Sequence, residues 1–157
     1  MKAKTRFFGE IDIEDEKIFT LEKGMIGFPE LNHFALIFDE DKNSERPNIM
    51  WFQSMDDGDI AFPVMRPDLI KEDYKPTVTE EIIDALGEIT EENLFILVTV
   101  SVPGNVKEFS VNLKAPIVIN TDNNKGMQAI VEDDYPIKYM VYELLQAMKE
   151  KREKAGE

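Results

Sequence analysis

Histidine and carboxylate side chains are the groups in this sequence that could perform acid–base or metal chemistry. His33 is the single histidine, and the chain has no cysteine. A Ser-His-Asp hydrolase needs a histidine beside an activated nucleophile, but the sequence holds no G-x-S-x-G motif. Zinc sites draw mainly on His and Cys, so His33 with carboxylates alone matches them poorly. We interpret His33, which lies near Pro29 and Phe34, as a loop or packing residue.

An acidic run after the third apolar segment partly matches a calcium-binding loop. Asp39, Asp41 and Asn43 have the spacing that opens an EF-hand loop. The match then fails, because Ser44 stands where glycine is needed and Met50 where the bidentate glutamate belongs. The sequence predicts no calcium site here, and residues 39–48 are expected to form a polar surface loop.

Two further patterns have structural explanations. The run Asp56-Asp57-Gly58-Asp59 could bind a cation weakly, but it is a strong hairpin-turn signal. Gly24 and Gly27 are not followed by a helix that begins with Lys-Ser or Lys-Thr, so they do not form a phosphate-binding loop. The sequence therefore predicts no catalytic residue, no metal ligand and no cofactor, and a protein that is not an enzyme.

The charge balance limits the partners of the chain. Its 157 residues include 32 acidic and 18 basic side chains, a net charge of −14. Such a surface repels phosphate backbones, so direct nucleic-acid binding is not expected. It favours a basic protein partner, or it serves solubility alone, and composition leaves both open. We find neither a signal peptide nor a membrane helix, and the lack of cysteine fits a reducing cytoplasm.

Short apolar and β-branched segments separated by turn residues predict a mostly β fold, a single domain over residues 1–157. The predicted strands are 5–13, 18–21, 34–38, 49–55, 60–65, 94–102, 106–113, 117–120 and 127–131. Strands 5–13 and 18–21 are expected to form a hairpin, and 94–102 a central strand.

Two helices are predicted. A short one over residues 77–86 begins with a Thr77–Glu80 capping box and ends at Gly87. An amphipathic helix over residues 137–153 closes the chain. Its apolar positions recur at helical spacing and are Ile137, Met140, Val141, Leu144, Leu145 and Met148.

The most unusual segment is residues 112–120, which reads Asn-Leu-Lys-Ala-Pro-Ile-Val-Ile-Asn. Pro116 has no N–H for a strand ladder, so it suits an edge, a strand start or a bulge. The break around it is either architectural, as at a barrel corner, or part of a partner-binding edge. The polar members Asn112, Lys114 and Asn120 are the first candidates for partner contact.

Gln53 and Ser54 are the next candidates for partner contact. They follow Trp51 and Phe52 in a predicted strand, whose alternate residues face opposite sides. Either they form a polar contact surface, or one aromatic fills the core while Gln53 bonds a turn.

Several motifs, in order, give the chain a resemblance to the FliW family of flagellar assembly factors. They are Thr5-Arg6-Phe7-Phe8-Gly9-Glu10-Ile11, Gly24-Met25-Ile26-Gly27-Phe28-Pro29, Phe52-Gln53-Ser54, Ala61-Phe62, Tyr74-Lys75-Pro76, the 112–120 segment and Gly126-Met127-Gln128. The resemblance implies a small antiparallel β-barrel-like domain with short helices and no catalytic activity.

The resemblance also implies partners. FliW-like proteins bind flagellin in the cytoplasm and bind the carbon storage regulator CsrA, an RNA-binding translational repressor. Partner switching would then couple free flagellin to flagellin translation. An alternative is a dedicated flagellin chaperone that captures a segment at an exposed strand edge near Pro116. We expect a monomer when no partner is bound.

Overall fold

A computed structural model describes residues 1–38 and 49–155 of the chain. The polar loop expected at 39–48, with its partial EF-hand match, lies outside the described residues. In chain order, the strands described are β1 Lys2–Thr5, β2 Gly9–Asp12, β3 Phe19–Thr20, β4 His33–Phe38, β5 Met50–Ser54, β6 Ala61–Met65, β7 Leu94–Ser101, β8 Ser110–Val111, β9 Ile117–Asn120, β10 Lys125–Gln128 and β11 Tyr139–Met140. The α-helices are α1 Glu80–Leu86 and α2 Tyr142–Ala155, and short 3-10 turns lie at Asp15–Lys17, Pro67–Leu69 and Val106–Glu108.

Seven of these strands close into a barrel. The order is β7-β6-β5-β4-β3-β10-β9, and β9 pairs back onto β7. Every neighbouring pair is antiparallel except β3 and β10, which pair in parallel at Thr20 and Lys125. The mostly antiparallel barrel predicted from the sequence is therefore confirmed, with one parallel contact at its seam.

The barrel interior is filled by aromatic and aliphatic side chains. Phe34 of β4 and Phe52 of the neighbouring β5 stack with ring centroids 4.5 Å apart. Leu97, Ile117 and Ile119 are fully buried in the same cluster. Removal of this apolar surface from water is the main favourable term for folding, so these side chains hold the barrel together.

Two elements cover the outside of the barrel. Helix α1 places Ile82 and Leu86 against Val118 and Met127. Helix α2 places Leu145, and the residue before the helix, Val141, in a cluster with residues of β7 and β8. The sheet thus has apolar side chains on both faces around β7, in agreement with its predicted central position.

The N-terminal region differs from the predicted hairpin. The chain reverses between Thr5 and Gly9, so β1 pairs with β2 rather than residues 5–13 forming one strand. The Thr5 hydroxyl donates to the Gly9 carbonyl and accepts from the Phe8 N–H, and Gly9 has a φ of 68°. A left-handed residue of this kind favours glycine and reverses the chain there.

Helix α1 is confirmed, but its predicted capping box is wrong. Thr79 is the N-cap and accepts a hydrogen bond from the Ile82 N–H. Thr77 lies outside the helix and donates its hydroxyl proton to Asp133 instead. Gly87, with a φ of 90°, ends the helix as predicted.

The C-terminal helix is confirmed but begins later than residue 137. Tyr139 and Met140 pair with β8, so α2 starts at Tyr142. Ile137 and Met140 are 66% and 53% exposed and do not form the apolar face of a helix.

The strand predicted at 106–113 is also shorter than expected. Residues Val106–Glu108 form a 3-10 turn, and only Ser110 and Val111 form β8. The last two residues of the predicted strand, 112 and 113, belong to the 112–120 segment instead.

Candidate protein-binding site

The 112–120 segment fastens a neighbouring strip of chain, residues 128–136, to the barrel. Four consecutive carbonyls of the segment accept hydrogen bonds, and one of its N–H groups donates back. The bonds are Tyr74 Oη to Leu113 O (2.7 Å), Val131 N to Lys114 O (2.9 Å), Gln128 Nε2 to Ala115 O (3.1 Å), Ala129 N to Pro116 O (3.0 Å) and Leu113 N to Pro136 O (3.1 Å). The break at Pro116 is therefore architectural, since residues 113–116 bond to the strip and to Tyr74.

Pro116 lies at a strand start and not at a sheet edge. It immediately precedes β9, which has β7 on one side and β10 on the other. Its carbonyl still accepts from Ala129, and the missing N–H interrupts only the last step of the ladder. The exposed edge expected near Pro116 is thus not on β9.

Two predicted contact residues, Asn112 and Lys114, are half-buried beside this strip. The Asn112 side-chain oxygen accepts from the Lys114 and Ala115 N–H groups, both at 3.0 Å, which forms a local turn. The Lys114 ammonium donates to the Asp133 carbonyl at 2.8 Å. Both side chains therefore have structural partners and retain some exposed surface.

The third predicted residue of the segment, Asn120, is 3% exposed. Its Nδ2 donates to the Leu86 carbonyl at 2.8 Å, and its Oδ1 accepts from the Asp122 N–H at 2.9 Å. The side chain therefore ties the end of α1 to the barrel, and its burial does not fit the predicted partner contact.

Gln53 and Ser54 are fully buried. Gln53 Nε2 donates to the carbonyls of Ser54 (2.8 Å), Gly58 (3.3 Å) and Ile60 (3.1 Å). The Ser54 hydroxyl oxygen accepts from the N–H groups of Asp56 and Asp57. The predicted contact surface is wrong for this pair, because a partner cannot reach them. They hold the β5–β6 turn, which was the alternative considered from the sequence.

Residues 74–77 also contact the strip, at Asp133 and Tyr135. The Asp133 carboxylate accepts from the Thr77 N–H (3.0 Å) and hydroxyl (2.8 Å). These two hydrogen bonds hold the pKa of Asp133 below its ordinary value. The Tyr74 and Tyr135 rings pack edge-on with their centroids 4.6 Å apart, and burial raises the pKa of Tyr74. Residues 131–136 of the strip are therefore held both by the 112–120 segment and by residues 74–77.

His33 has a structural partner outside this region. Its Nδ1 lies 3.0 Å from the Asp56 carboxylate, which also accepts from the Asn32 and His33 N–H groups. Partial burial raises the pKa of Asp56, but these hydrogen bonds outweigh it and leave the pKa below its ordinary value. Within the described ranges, no three His, Asp or Glu side chains cluster around a possible metal position.

Beside the strip lies a groove that the sequence did not indicate. It has a volume of about 660 Å³ and runs between the start of α1 and the loop after β3, with the strip as its floor. Ile130 and Ile26 on its walls are 70% and 53% exposed, which is high for large apolar side chains. Exposed apolar surface of this kind is typical of contact sites for other molecules.

The fold and this groove define the class of protein as a small acidic β-barrel with a surface groove that carries exposed isoleucines. In the parts of the chain that the structure describes, no helix is long and apolar enough to span a membrane. A family model described as "FliW protein" matches residues 2–141. The chain belongs to the FliW family, and the resemblance found in its motifs is confirmed.

Curated relatives and a solved structure agree with this assignment. "Flagellar assembly factor FliW" of Lachnoclostridium phytofermentans is 40% identical over 148 residues, which are 93% of this chain and 94% of that protein. The protein of the same name from Thermotoga maritima is 38% identical over 95% of this chain and 98% of its own length. A crystal structure of the flagellar assembly factor FliW superposes with a TM-score of 0.80 at 25% identity, over 90% of this chain and 96% of that chain.

Proposed function

We propose that this protein is a cytoplasmic flagellar assembly factor that binds flagellin and also binds the translational repressor CsrA. In this proposal it antagonises CsrA, and free flagellin displaces CsrA so that CsrA represses flagellin translation again. Membership of the FliW family is the observation that carries the proposal, because the match extends over residues 2–141. The protein acts by binding, without a cofactor, and is a monomer when free.

Net charge supports antagonism of an RNA-binding partner. At −14, this protein would bring negative charge close to the RNA path of a basic partner. Phosphate repulsion and occupation of basic side chains would both weaken RNA binding, even without a shared footprint. Complex formation with CsrA should then weaken as ionic strength rises, and an unchanged Kd from low to moderate salt would contradict the electrostatic part.

A competition assay tests partner switching directly. Purified flagellin is added to a preformed complex of this protein with CsrA, and free CsrA is followed by size-exclusion chromatography or by its binding to labelled flagellin mRNA leader. We expect release of CsrA as flagellin saturates the protein. If CsrA stays bound at saturating flagellin, partner switching is wrong.

The accessible contact candidates are Asn112 and Lys114. We expect Lys114→Ala to weaken binding of one partner while the protein stays folded, because the side chain makes one hydrogen bond worth about 1 kcal/mol to the fold. Lys138→Ala is the matched control, since Lys138 is an exposed lysine outside the 112–120 segment. Equal binding by both variants would remove Lys114 from the contact surface.

A second candidate function is a dedicated flagellin chaperone without a role in translation. The observation that favours it is the apolar groove with exposed Ile26 and Ile130, which could shield an aggregation-prone segment. The two functions share flagellin as a partner, so a pull-down with purified CsrA separates them. Retention of CsrA supports the switch, and its absence at micromolar concentration supports the chaperone.

A further inference from the structure

One edge of the barrel seam is left open along the strip. β3 pairs with β10 only where Thr20 faces Lys125. The chain then turns away, since the Gly24 N–H bonds to the Leu21 carbonyl at 3.0 Å. Within the described residues, the backbone of 127–130 therefore pairs with β9 and the 112–120 segment and with no strand on its other side. The groove lies along these residues, between the loop after β3 and the start of α1.

Alternate backbone groups of this edge point away from β9. Ala129 and Val131 donate their N–H groups to the Pro116 and Lys114 carbonyls. In an antiparallel ladder, alternate residues turn their N–H and C=O to opposite sides, so those of Gln128 and Ile130 point away from β9. Within residues 1–38 and 49–155, the backbone of Ile130 has no hydrogen-bond partner. An unpaired donor and acceptor of this kind is a template for another strand.

The walls of the groove are held in place without an occupant. The Ile26 N–H donates to the Gln128 side-chain oxygen at 2.8 Å, and the same side chain donates to the Ala115 carbonyl. On the opposite wall, Ile82 of α1 and Met127 of β10 are buried against each other's elements. The loop and the helix are thereby kept apart, and an incoming chain would not have to reorganise them.

Charge around the groove selects the chemistry of the occupant. Glu80, Glu81 and Glu132 are exposed at its rim. Lys23 is the cation that lines it, and that ammonium is already 3.4 Å from the Glu81 carboxylate. The rim is therefore acidic overall, in a protein whose net charge is −14. Lysine and arginine side chains complement such a rim.

We propose that this groove binds an extended segment of a partner protein as an additional β-strand along residues 128–130. The segment carries apolar side chains that pack on Ile26 and Ile130, in alternation with Lys or Arg side chains that face Glu80 and Glu132. Main-chain hydrogen bonds supply affinity, and the alternating side chains supply selectivity. The inference rests on the geometry of the groove and not on the identity of the partners proposed above.

A designed peptide tests the binding mode. The probe is a fluorescein-labelled eight-residue peptide of alternating Val and Lys, titrated with the full chain by fluorescence polarisation. In an extended strand, the Val N–H groups lie on one edge and the Lys N–H groups on the other. N-methylation of one set should therefore weaken binding by about tenfold or more, while N-methylation of the other set leaves the Kd unchanged. Equal effects of both methylations, or no binding of the parent peptide, would overturn the proposal.

A pair of matched variants places the peptide in the groove. Ile130→Lys puts a cation in the groove at a side chain that is 70% exposed, so folding should be preserved. Ile137→Lys makes the same change at a side chain that is 66% exposed and does not line the groove. We expect Ile130→Lys to weaken peptide binding by about tenfold or more and Ile137→Lys to leave it within about twofold.

Equal Kd values for the two variants would overturn the assignment to this groove. Concentration-dependent dimerisation that Ile130→Lys abolishes would instead assign the edge to a second copy of the chain and would also overturn it. Because neither flagellin nor CsrA is present, a negative result leaves the proposed function untouched.

Discussion

Asn120 provides a sharp test of whether the 112–120 segment is architectural. Its side chain donates to the Leu86 carbonyl at the end of α1 and accepts from the Asp122 N–H. Asn120→Ala removes both of these hydrogen bonds, and a longer one of 3.4 Å to the Glu88 carbonyl, at a site that is 3% exposed. The structure predicts lower stability with no direct effect on a partner, because no partner can reach this side chain in the folded protein.

The size of the effect follows from these two bonds. Each contributes about 1 kcal/mol to the free energy of unfolding. The Leu86 carbonyl is not left unpaired, since Asn123 Nδ2 also donates to it at 2.9 Å. We therefore expect Asn120→Ala to lower the free energy of unfolding by about 2 kcal/mol, which corresponds to a fall in Tm of about 4–8 °C for a chain of this size.

A double-mutant cycle separates this explanation from a general loss of packing. Asn123→Ala alone should cost about 1–2 kcal/mol, because it loses an exposed bond from the Lys125 N–H as well, while Asn120 still satisfies the Leu86 carbonyl. In the double variant that carbonyl has neither side-chain donor, so the combined loss should exceed the sum of the single losses by about 1–2 kcal/mol. Thermal and urea unfolding, followed by circular dichroism, measure all three variants.

Two results would refute the reasoning. Additive losses in the double variant would show that the two asparagines do not share the Leu86 carbonyl. A wild-type Tm for Asn120→Ala, together with weaker binding of flagellin or CsrA, would restore Asn120 as the contact residue expected from the sequence.

Three further predictions concern the barrel, the loop after β3 and the β5–β6 turn. Ile117→Ala, at a fully buried core position, should lower the free energy of unfolding by about 2–5 kcal/mol in urea titrations. Gly24→Ala should cost at least about 1–2 kcal/mol by the same method, because φ is 66° and a Cβ would overlap the Phe28 carbonyl. Since the pKa of Asp56 is lowered by folding, its ionised form stabilises the protein above the ordinary pKa of 3.8, and this contribution is lost as the pH falls through the lowered value. The Tm difference between wild type and Asp56→Asn should therefore be constant near neutral pH and disappear in strong acid, whereas a pH-independent difference would contradict the role of the carboxylate.

Local signals in the sequence were sufficient for much of the barrel. The acidic turn between β5 and β6 and the β-branched run of β7 are signals within a few residues of the elements they define. Gly87 marked the end of α1 in the same way. The predicted cap Thr77 bonds instead to Asp133, which the helix sequence does not contain, and Thr79 caps the helix.

Distant contacts explain what the sequence did not predict. Strand alternation places Gln53 on the outer face of the barrel, where polar residues are usually exposed. In the structure the N-terminal hairpin lies over the adjacent turn, with the Arg6 N–H bonded to the Gly58 carbonyl at 3.0 Å. Helical spacing likewise runs from Ile137 through Leu145, but pairing of Tyr139 with Val111 delays the start of α2. Periodicity carries no information about such partners.

The candidate site was foreseen only in part. The 112–120 segment was identified as unusual, and its role in fastening the strip agrees with the architectural alternative. The open edge at Ile130 depends on how far β3 extends along β10, and a parallel pairing between distant strands has no local signature. The sequence shows isoleucine at positions 26 and 130, but it does not show that these side chains are exposed.

The seam of the barrel has a consequence for how the chain acquires its shape. Thr20 and Lys125 come from opposite ends of the chain, and β7 must also find β9 before the barrel can close. Contacts between such distant residues form slowly, and the N-terminal part of a chain is synthesised first. A nascent or truncated chain that ends before Lys125 would hold the β3 edge and the aromatic interior open to proteases and to other chains. The groove is therefore formed only when the barrel is completed, late in the synthesis of the chain.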